Sequence, residues 1–390
     1  MTTKQNKTEN RLLKVLTGSN AAISAAIVIL GFLTATMILL LIGRNPAGFY
    51  QAVLQVVSGF DSRRGVWNAR YVGEWLVVSM PLILCGLSMG FAARSGLFNI
   101  GAEGQYMAGL TAAQIIAQSG FAFSGIPFIH PALAVLGAMA AGAVWGGVSG
   151  FFKARYRVSE VVSTIMMNYI ALFLHRLITL RIQGSNTFRT PDFSAAASLS
   201  NSLLQSITNN SRLNNGLWLT IAVILFYYLI MEKSTLGYSL RAAGFSRDAA
   251  VYAGIRVKTN ITISMTISGM FAGLAGAVVA LGVFSYGRIL TAFENYGFDG
   301  IAVALAGNCT AAGIAVMGLL FGMLKSAQPL MQSRQIPREI VNIIMGFVVV
   351  FISLRPGILM YIEKLRNQPE IEKEKAPFLM RLKKSGREAG

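Results

Sequence analysis

Long apolar runs, separated by short polar or basic stretches, repeat along the whole chain. The hydrocarbon core of a bilayer is about 30 Å thick, and a helix of about 20 apolar residues crosses it. Six runs have roughly this length: 21–43, 72–93, 131–152, 161–180, 217–231 and 261–284. Four runs are shorter or interrupted by glycine: 104–119, 298–306, 313–324 and 340–354. The pattern predicts an all-α, polytopic integral membrane protein with about ten transmembrane helices, some of them short or broken.

Composition supports lipid as the solvent of this chain. Of 390 residues, 54% are hydrophobic and only 13% are charged, which is more apolar than ordinary globular domains. The net charge of +18 does not indicate nucleic acid, because the basic residues flank apolar runs instead of gathering on one soluble face. Basic residues in such positions orient spans and contact anionic lipid headgroups. We therefore expect membrane lipid, and no nucleic acid, as a partner.

The two ends of the chain are rich in lysine and arginine. Because basic segments favour the cytoplasmic side, we expect a cytoplasmic N-terminal tail at 1–20 and a basic cytoplasmic C-terminal tail at 355–390. The membrane domain between them, 21–354, then has an even number of spans, with the stretch at about 232–258 inside and 183–215 outside. The four arginines Arg44, Arg63, Arg64 and Arg70 would be outside, against the usual bias.

No motif of a self-sufficient enzyme is present. The phosphate-binding pattern G-x-x-x-x-G-K-[ST] is absent, as are the H-E-x-x-H metal motif and the G-x-S-x-G nucleophile elbow. The two histidines, His130 and His175, and the two cysteines, Cys85 and Cys309, show no metal-ligand spacing. We expect no catalytic residue, no metal and no cofactor.

Glycines at short intervals mark two of the runs. Gly142, Gly146 and Gly150 are spaced four apart, and Gly269 and Gly273 are followed by Gly276. Small residues at this spacing let helices approach closely. Helix packing explains them better than contact with a substrate.

A polar, glycine-rich break at 93–105 separates two apolar runs. Unsatisfied backbone groups are costly in lipid, so the break must be buried in protein or line a wet cavity. Asn99, Glu103 and Gln105 are therefore candidates for a polar pathway. In the alternative interpretation, Glu103 lies at a helix N-terminus and is stabilised there by the helix dipole, while the glycines only turn the chain.

The stretch 234–255 alternates small, apolar and charged residues. It predicts two short helices, 240–243 and 247–253, hinged at Gly244, which together form an element that a partner protein can grip. A solvated loop is the alternative, and it explains the charges but not the ordered apolar positions.

This stretch resembles the coupling loop of permeases that import branched-chain amino acids, simple sugars and nucleosides. The segment SGMFAGLAG at 268–276 follows it as in that family. Three further segments resemble the nucleoside-importing branch in particular: FNIGAEGQ at 98–105, VVSTIMMNYIA at 161–171 and GFDGIAVALAGN at 297–308. The resemblance covers most of 94–354.

The resemblance implies a transport subunit of the bacterial cell membrane, with no ATP site of its own. Expected partners are a cytoplasmic ABC ATPase, a second, related permease forming a heterodimer, a substrate-binding lipoprotein and the nucleoside substrate. Six positions would contact the ATPase: Gly237, Leu240, Arg241, Ala242, Gly244 and Asp248. Residues expected along the substrate path are Asn99, Glu103, Gln105, Asn168 and Asp299. For Asn168 and Asp299, a hydrogen bond between helices is an equally good interpretation.

Other functions stay open from the residues alone. Ribose-like sugars are the second choice of substrate and branched-chain amino acids the third. An ion-coupled secondary transporter would use Glu103 or Asp299 as its coupling carboxylate. A membrane-embedded enzyme ranks last, because no nucleophile, base or metal ligands converge.

Overall fold

The computed structural model describes residues 20–61, 64–119, 128–337 and 339–354. By its internal contacts the chain divides into two units, one spanning 36–345 and one made of 1–35 together with 346–390. The predicted tails, 1–20 and 355–390, lie outside the described residues except for Asn20.

Every predicted apolar run falls on a helix. The corresponding helices are α1 (Asn20–Leu41), α3 (Arg70–Arg94), α4 (Ala102–Gln118), α5 (Ile129–Tyr156), α6 (Glu160–Leu180), α8 (Gly216–Lys233), α11 (Val257–Val283), α12 (Tyr296–Ala306), α13 (Ala311–Gln332) and α14 (Glu339–Ser353). Six of these, α3, α5, α6, α8, α11 and α13, are long and apolar enough to cross a membrane. The prediction of a largely helical, multi-pass membrane protein is confirmed.

Several short elements were not predicted. They are the helices α2 (Ala47–Ser58) and α7 (Ser202–Ile207) and the strands β1 (Phe60–Asp61), β2 (Val66–Trp67), β3 (Arg189–Asp192) and β4 (Tyr286–Arg288). The strands form two antiparallel pairs, β1 with β2 and β3 with β4. Two further short helices, α9 (Thr235–Phe245) and α10 (Arg247–Tyr252), occupy the predicted docking stretch.

The two short docking helices correct one prediction. The chain breaks at Ser246, which has an extended conformation, and Gly244 lies inside α9 and does not act as the hinge. Ser246 ends α9 because its side chain accepts a hydrogen bond from the Ala249 backbone N–H and thereby caps α10. Ser234 caps α9 in the same way, through the Gly237 N–H at 3.0 Å.

Glycine contacts hold the centre of the 36–345 unit together. A Cβ atom at Gly142 of α5 would lie 2.8 Å from Gly273 Cα of α11. One at Gly276 of α11 would lie 2.5 Å from the Leu110 nitrogen of α4. Only glycine allows backbones to come this close, so the interpretation of these glycines as packing residues is confirmed.

In their most apolar stretches, 83% of the residues of α3 and 72% of those of α11 are buried within the chain, whereas only 28–33% of the residues of α5, α6 and α8 are buried. Exposed apolar side chains such as Phe173 on α6 and Leu225 on α8 suit lipid or another membrane chain. The protein core therefore lies around α3, α4 and α11, where the site described below is located.

Candidate functional site

The break between α3 and α4 is fully structured. Gly96, with φ of +72°, follows the end of α3, and the hydrogen bonds Leu97 N–Ala92 O and Gly96 N–Ala93 O are both 3.0 Å long. This pair of hydrogen bonds is a Schellman motif, which satisfies the last carbonyl groups of a helix. The chain then reverses, and α4 begins inside the bundle at Ala102.

Asn99 and Gln105 form a buried amide pair across this break. Asn99 Nδ2 donates to Gln105 Oε1 at 2.8 Å and to Ser268 Oγ of α11 at 2.7 Å. Gln105 Nε2 donates back to Asn99 Oδ1 at 3.1 Å, and the Gly101 N–H donates to the same oxygen at 3.0 Å. Both side chains are buried, and the network joins the start of α4 to α11.

Asn168 of α6 caps α4. Its Oδ1 accepts a hydrogen bond from the Gly104 N–H at 2.8 Å, and its Nδ2 donates to the Ile100 carbonyl at 3.0 Å. The first N–H groups of a helix have no partner within the helix, so a side chain from another helix supplies one here. The expected hydrogen bond between helices is thus present at Asn168.

Glu103 performs the same task for α12. Its Oε1 accepts hydrogen bonds from the Glu294 and Asn295 N–H groups, both at 2.9 Å, and its Oε2 accepts one from the Gly297 N–H at 2.6 Å. A carboxylate at a helix N-terminus is favoured by the helix dipole as well as by these bonds. Glu103 does lie in the first turn of its own helix, but it stabilises the start of a helix almost 200 residues away in the chain.

Asp299 of α12 is ion-paired with Lys325 of α13. The Lys325 ammonium also lies 5.2 Å from the centre of the Tyr296 ring. Lys325 was missed from the sequence because the predicted run ended one residue before it, at 324. A lysine between apolar residues of a helix was the available signal.

A second charged group lies next to the start of α12. Arg288 of β4 is paired with Glu294, and Glu294 Oε2 also accepts a hydrogen bond from the Tyr106 hydroxyl at 2.6 Å. These residues were not predicted, since Arg288 and Glu294 lie in a connecting stretch and Tyr106 in an apolar run. His175 is packed within the chain, with Nδ1 at 2.8 Å from Thr111 Oγ1.

The structure thus brings the five predicted path residues together around the N-termini of α4 and α12. Four of them are buried and are listed here: Asn99, Glu103, Gln105 and Asn168. Asp299 is partly exposed. Their contact with a substrate stays a prediction, and their hydrogen bonds and ion pair identify them as residues that hold the starts of α4 and α12 in place.

The predicted docking residues divide into an inner and an outer group. Gly237 and Leu240 are buried, and a Cβ at Gly244 would lie 2.7 Å from the Gly96 nitrogen, so α9 rests directly on the end of α3. Arg241 is tied to Glu232 at 2.9 Å, and Glu232 also binds Arg94 at 2.6 Å.

The outer group of this segment faces away from the bundle. Asp248 is exposed, and Ala242 is partly buried. Phe245 and Tyr252, which were not among the predicted residues, are 96% and 93% exposed. Both aromatic rings are thus left almost entirely uncovered by the rest of this chain.

Within the ranges that the structure describes, no group of three or more histidine, cysteine, aspartate or glutamate side chains is placed to hold a metal ion.

Comparison with known proteins agrees with this architecture. The family model described as branched-chain amino acid transport system / permease component matches residues 71–353. The guanosine ABC transporter permease protein NupP of Bacillus subtilis is 40% identical over 342 residues, covering 87% of this chain and 95% of NupP. The nucleoside ABC transporter permease protein NupB of Lactococcus lactis is 37% identical over 336 residues, covering 84% of this chain and 89% of NupB.

A second Bacillus subtilis protein, the guanosine ABC transporter permease protein NupQ, is 28% identical over 283 residues, covering 69% of this chain and 85% of NupQ. No solved structure matches the chain. Because the family model covers well over half of the chain and NupP resembles it over most of both lengths, this chain belongs to the family of branched-chain amino acid transport system permease components.

Proposed function

We propose that the chain is the membrane permease subunit of an ATP-driven importer for nucleosides. The observation that carries this proposal is the 40% identity with a guanosine permease over nearly the whole of both chains. The geometry supports it, because short helices that start inside a membrane bundle, as α12 with 11 residues and α4 with 17 residues do, are typical of transport pathways.

The helices suit ten crossings of a bacterial cell membrane with both tails in the cytoplasm. In this arrangement α9 and α10 lie on the cytoplasmic side and the β3–β4 pair lies outside. Helices α4 and α12 are short, and the residues that precede each of them in the chain would complete its crossing of the membrane.

ATP hydrolysis then belongs to a separate cytoplasmic ATPase. Phe245, Asp248 and Tyr252 are exposed on α9 and α10 and form the surface for it. Gly237, Leu240 and Gly244 support that surface from beneath, and Arg241 orients it through Glu232.

A second permease and an external binding lipoprotein complete the importer. Two guanosine permeases of one organism, NupP and NupQ, are both similar to this chain, which supports a heterodimer of related subunits. The exposed faces of α5, α6 and α8 provide surface for such a partner as well as for lipid.

The test is uptake into vesicles that contain this chain with its ATPase, partner permease and binding protein. We expect ATP-dependent accumulation of labelled guanosine or uridine. Accumulation of ribose or leucine alone would reject nucleosides as the substrate. Accumulation that needs a proton or sodium gradient but no ATP would reject the importer mechanism.

A further inference from the structure

A continuous row of charged and aromatic side chains runs from β4 to α13. It begins at the Arg288–Glu294 pair, whose Nη2 and Oε2 atoms are 2.9 Å apart. The Tyr106 hydroxyl donates to Glu294, and the Tyr106 ring lies 5.5 Å from the ring of Tyr296. This first half of the row is anchored at the start of α12, where Glu103 holds the backbone.

The second half of the row leads from the Tyr296 ring to Lys325 and from Lys325 to Asp299. Both charged side chains are only partly covered, with 21% of Asp299 and 17% of Lys325 exposed. The ion pair therefore reaches the surface of this chain.

That surface does not suit lipid. Lys325 lies within α13, a helix with the length and composition of a membrane span. Charged side chains in spans are costly in lipid and instead face the protein interior or a water-filled cavity. A partly open ion pair within such a helix consequently marks a surface in contact with water or with polar groups.

Three aromatic rings cluster around Phe298, the neighbour of Asp299 on α12, and both side chains are partly exposed. Phe298, which precedes Asp299 on α12, packs edge-on against Phe293 with ring centres 5.7 Å apart. Phe293 packs in the same manner against Tyr169 of α6 at 5.2 Å. Tyr169 is 49% exposed, so one ring of this cluster is left uncovered by the rest of the chain. Flat aromatic rings stack on nucleobases of any sequence.

We infer that Asp299, Lys325 and the aromatic surface of Tyr169, Phe293 and Phe298 form a nucleoside subsite on the translocation path. This inference rests on the proposed function and adds the residues that contact the cargo. A carboxylate accepts hydrogen bonds from two neighbouring hydroxyls, as in a ribose diol, and an ammonium group donates to ring oxygen or nitrogen acceptors. The pair carries no net charge, which suits a neutral nucleoside better than a phosphate or a free amino acid.

The row also explains how the subsite is kept in position. Tyr296 contacts Lys325 on one side and Tyr106 on the other, so the ion pair is linked to the structured start of α12. Tyr106, Arg288 and Glu294 are positioning residues in this view, since the pair that faces the cargo lies beyond them.

The experiment measures KM and maximal rate of ATP-dependent uptake for guanosine and for 2′-deoxyguanosine in the complete importer. For Asp299→Asn we expect the guanosine KM to rise about tenfold, because one lost hydrogen bond to a charged group has about that effect. The preference for guanosine over its 2′-deoxy analogue should shrink, since the variant lacks the carboxylate that accepts hydrogen bonds from both hydroxyls of the ribose. Phe298→Leu should raise both KM values together.

A reversed pair, Asp299→Lys with Lys325→Asp, separates recognition from structure. We expect this double variant to assemble in the membrane in wild-type amounts. Its KM for guanosine should still be raised, and its preference for guanosine over 2′-deoxyguanosine should still be reduced. Arg212→Gln is the control, because Arg212 forms an ion pair with Glu74 at 2.6 Å in which half of the arginine is exposed. Its uptake should equal that of the wild type.

Two results would overturn the subsite. Wild-type KM and ribose preference in the reversed pair would identify a purely structural ion pair. Loss of the partner permease on purification, with unchanged KM in the remaining complexes, would identify a subunit contact. If Asp299→Asn fails to accumulate, Asp299→Glu and Lys325→Gln are measured in its place, and unchanged KM and unchanged preference in both variants would also overturn the subsite. A wild-type importer that carries no nucleoside would instead reject the proposed function.

Discussion

At the residue scale, Glu103 is a buried carboxylate that caps a helix from a distant part of the chain. It is a wholly buried carboxylate whose charge is balanced by three backbone N–H groups at the start of α12. Hydrogen bonds to a buried charge contribute about 1.5–3 kcal/mol each. We predict that Glu103→Ala lowers the free energy of unfolding by at least about 3 kcal/mol, measured as a fall in the thermal midpoint of the purified protein in detergent.

Glu74→Gln is the matched control for this variant. Glu74 binds Arg212 in a partly exposed pair, and such pairs contribute about 1 kcal/mol or less. The control should lose little stability. Equal losses in the two variants would show that Glu103 is not an important cap.

Glu103 also shows what the sequence could and could not predict. Its place after a polar, glycine-rich break identified it as a constrained carboxylate, since such breaks are costly in lipid. The identity of its partners was not predictable, because the N–H groups of 294–297 approach it only through tertiary packing. The same holds for Asn168, whose target at Gly104 lies on another helix.

At the scale of elements, the contact between α9 and the end of α3 joins the docking surface to the bundle. Gly96 and Gly244 face each other there, and a Cβ at Gly96 would lie 2.8 Å from Gly244 Cα. The sequence interpretation assigned Gly244 to a hinge because glycine is flexible, but its role is close approach. The true break at Ser246 carried a readable signal, a serine directly before a short helical stretch.

We predict that Gly244→Val separates ATP hydrolysis from transport. The added side chain would push α9 away from α3, so the ATPase would still turn over while uptake falls at least tenfold. ATPase activity and uptake are measured in the same vesicles. Gly346→Ala is the control, because nothing lies within 4 Å of a Cβ there, and it should leave both activities unchanged. A fully coupled Gly244→Val importer would contradict the assigned contact.

The exposed aromatic residues of α9 and α10 allow a direct test of docking. Phe245→Asp places a charge on the surface that we assign to the ATPase, and it should reduce co-purification of the ATPase with this chain. Buried aromatic contacts dominate many protein interfaces, so the expected loss is about 2 kcal/mol or more. Phe188→Asp changes an equally apolar, exposed ring in the stretch 183–215, outside the docking surface. Retention of the ATPase by Phe245→Asp would remove Phe245 from the interface.

At the scale of the whole molecule, basic residues lie at both ends of the helices in the 36–345 unit. Arg94, Lys153 and Lys233 lie near the helix ends that adjoin α9, but Arg70, Arg181 and Arg212 lie at the opposite helix ends. The positive-inside rule therefore has little force within this unit. The basic tails, at 1–20 and 355–390, decide the prediction that α9 and α10 are cytoplasmic.

Thiol labelling of intact cells decides the orientation. In a chain whose Cys85 and Cys309 are replaced by alanine, Leu203→Cys on α7 and Val251→Cys on α10 each place one thiol on an exposed, apolar position of a short helix. A membrane-impermeant reagent should label Leu203→Cys in intact cells and Val251→Cys only after the membrane is opened. In cells that express this chain without the ATPase, both positions are well exposed, 72% for Leu203 and 60% for Val251, so a difference in labelling reports the side of the membrane. The reverse pattern would place α9 and α10 outside the cell, where no ATP-driven partner is available, and the importer mechanism would then be wrong.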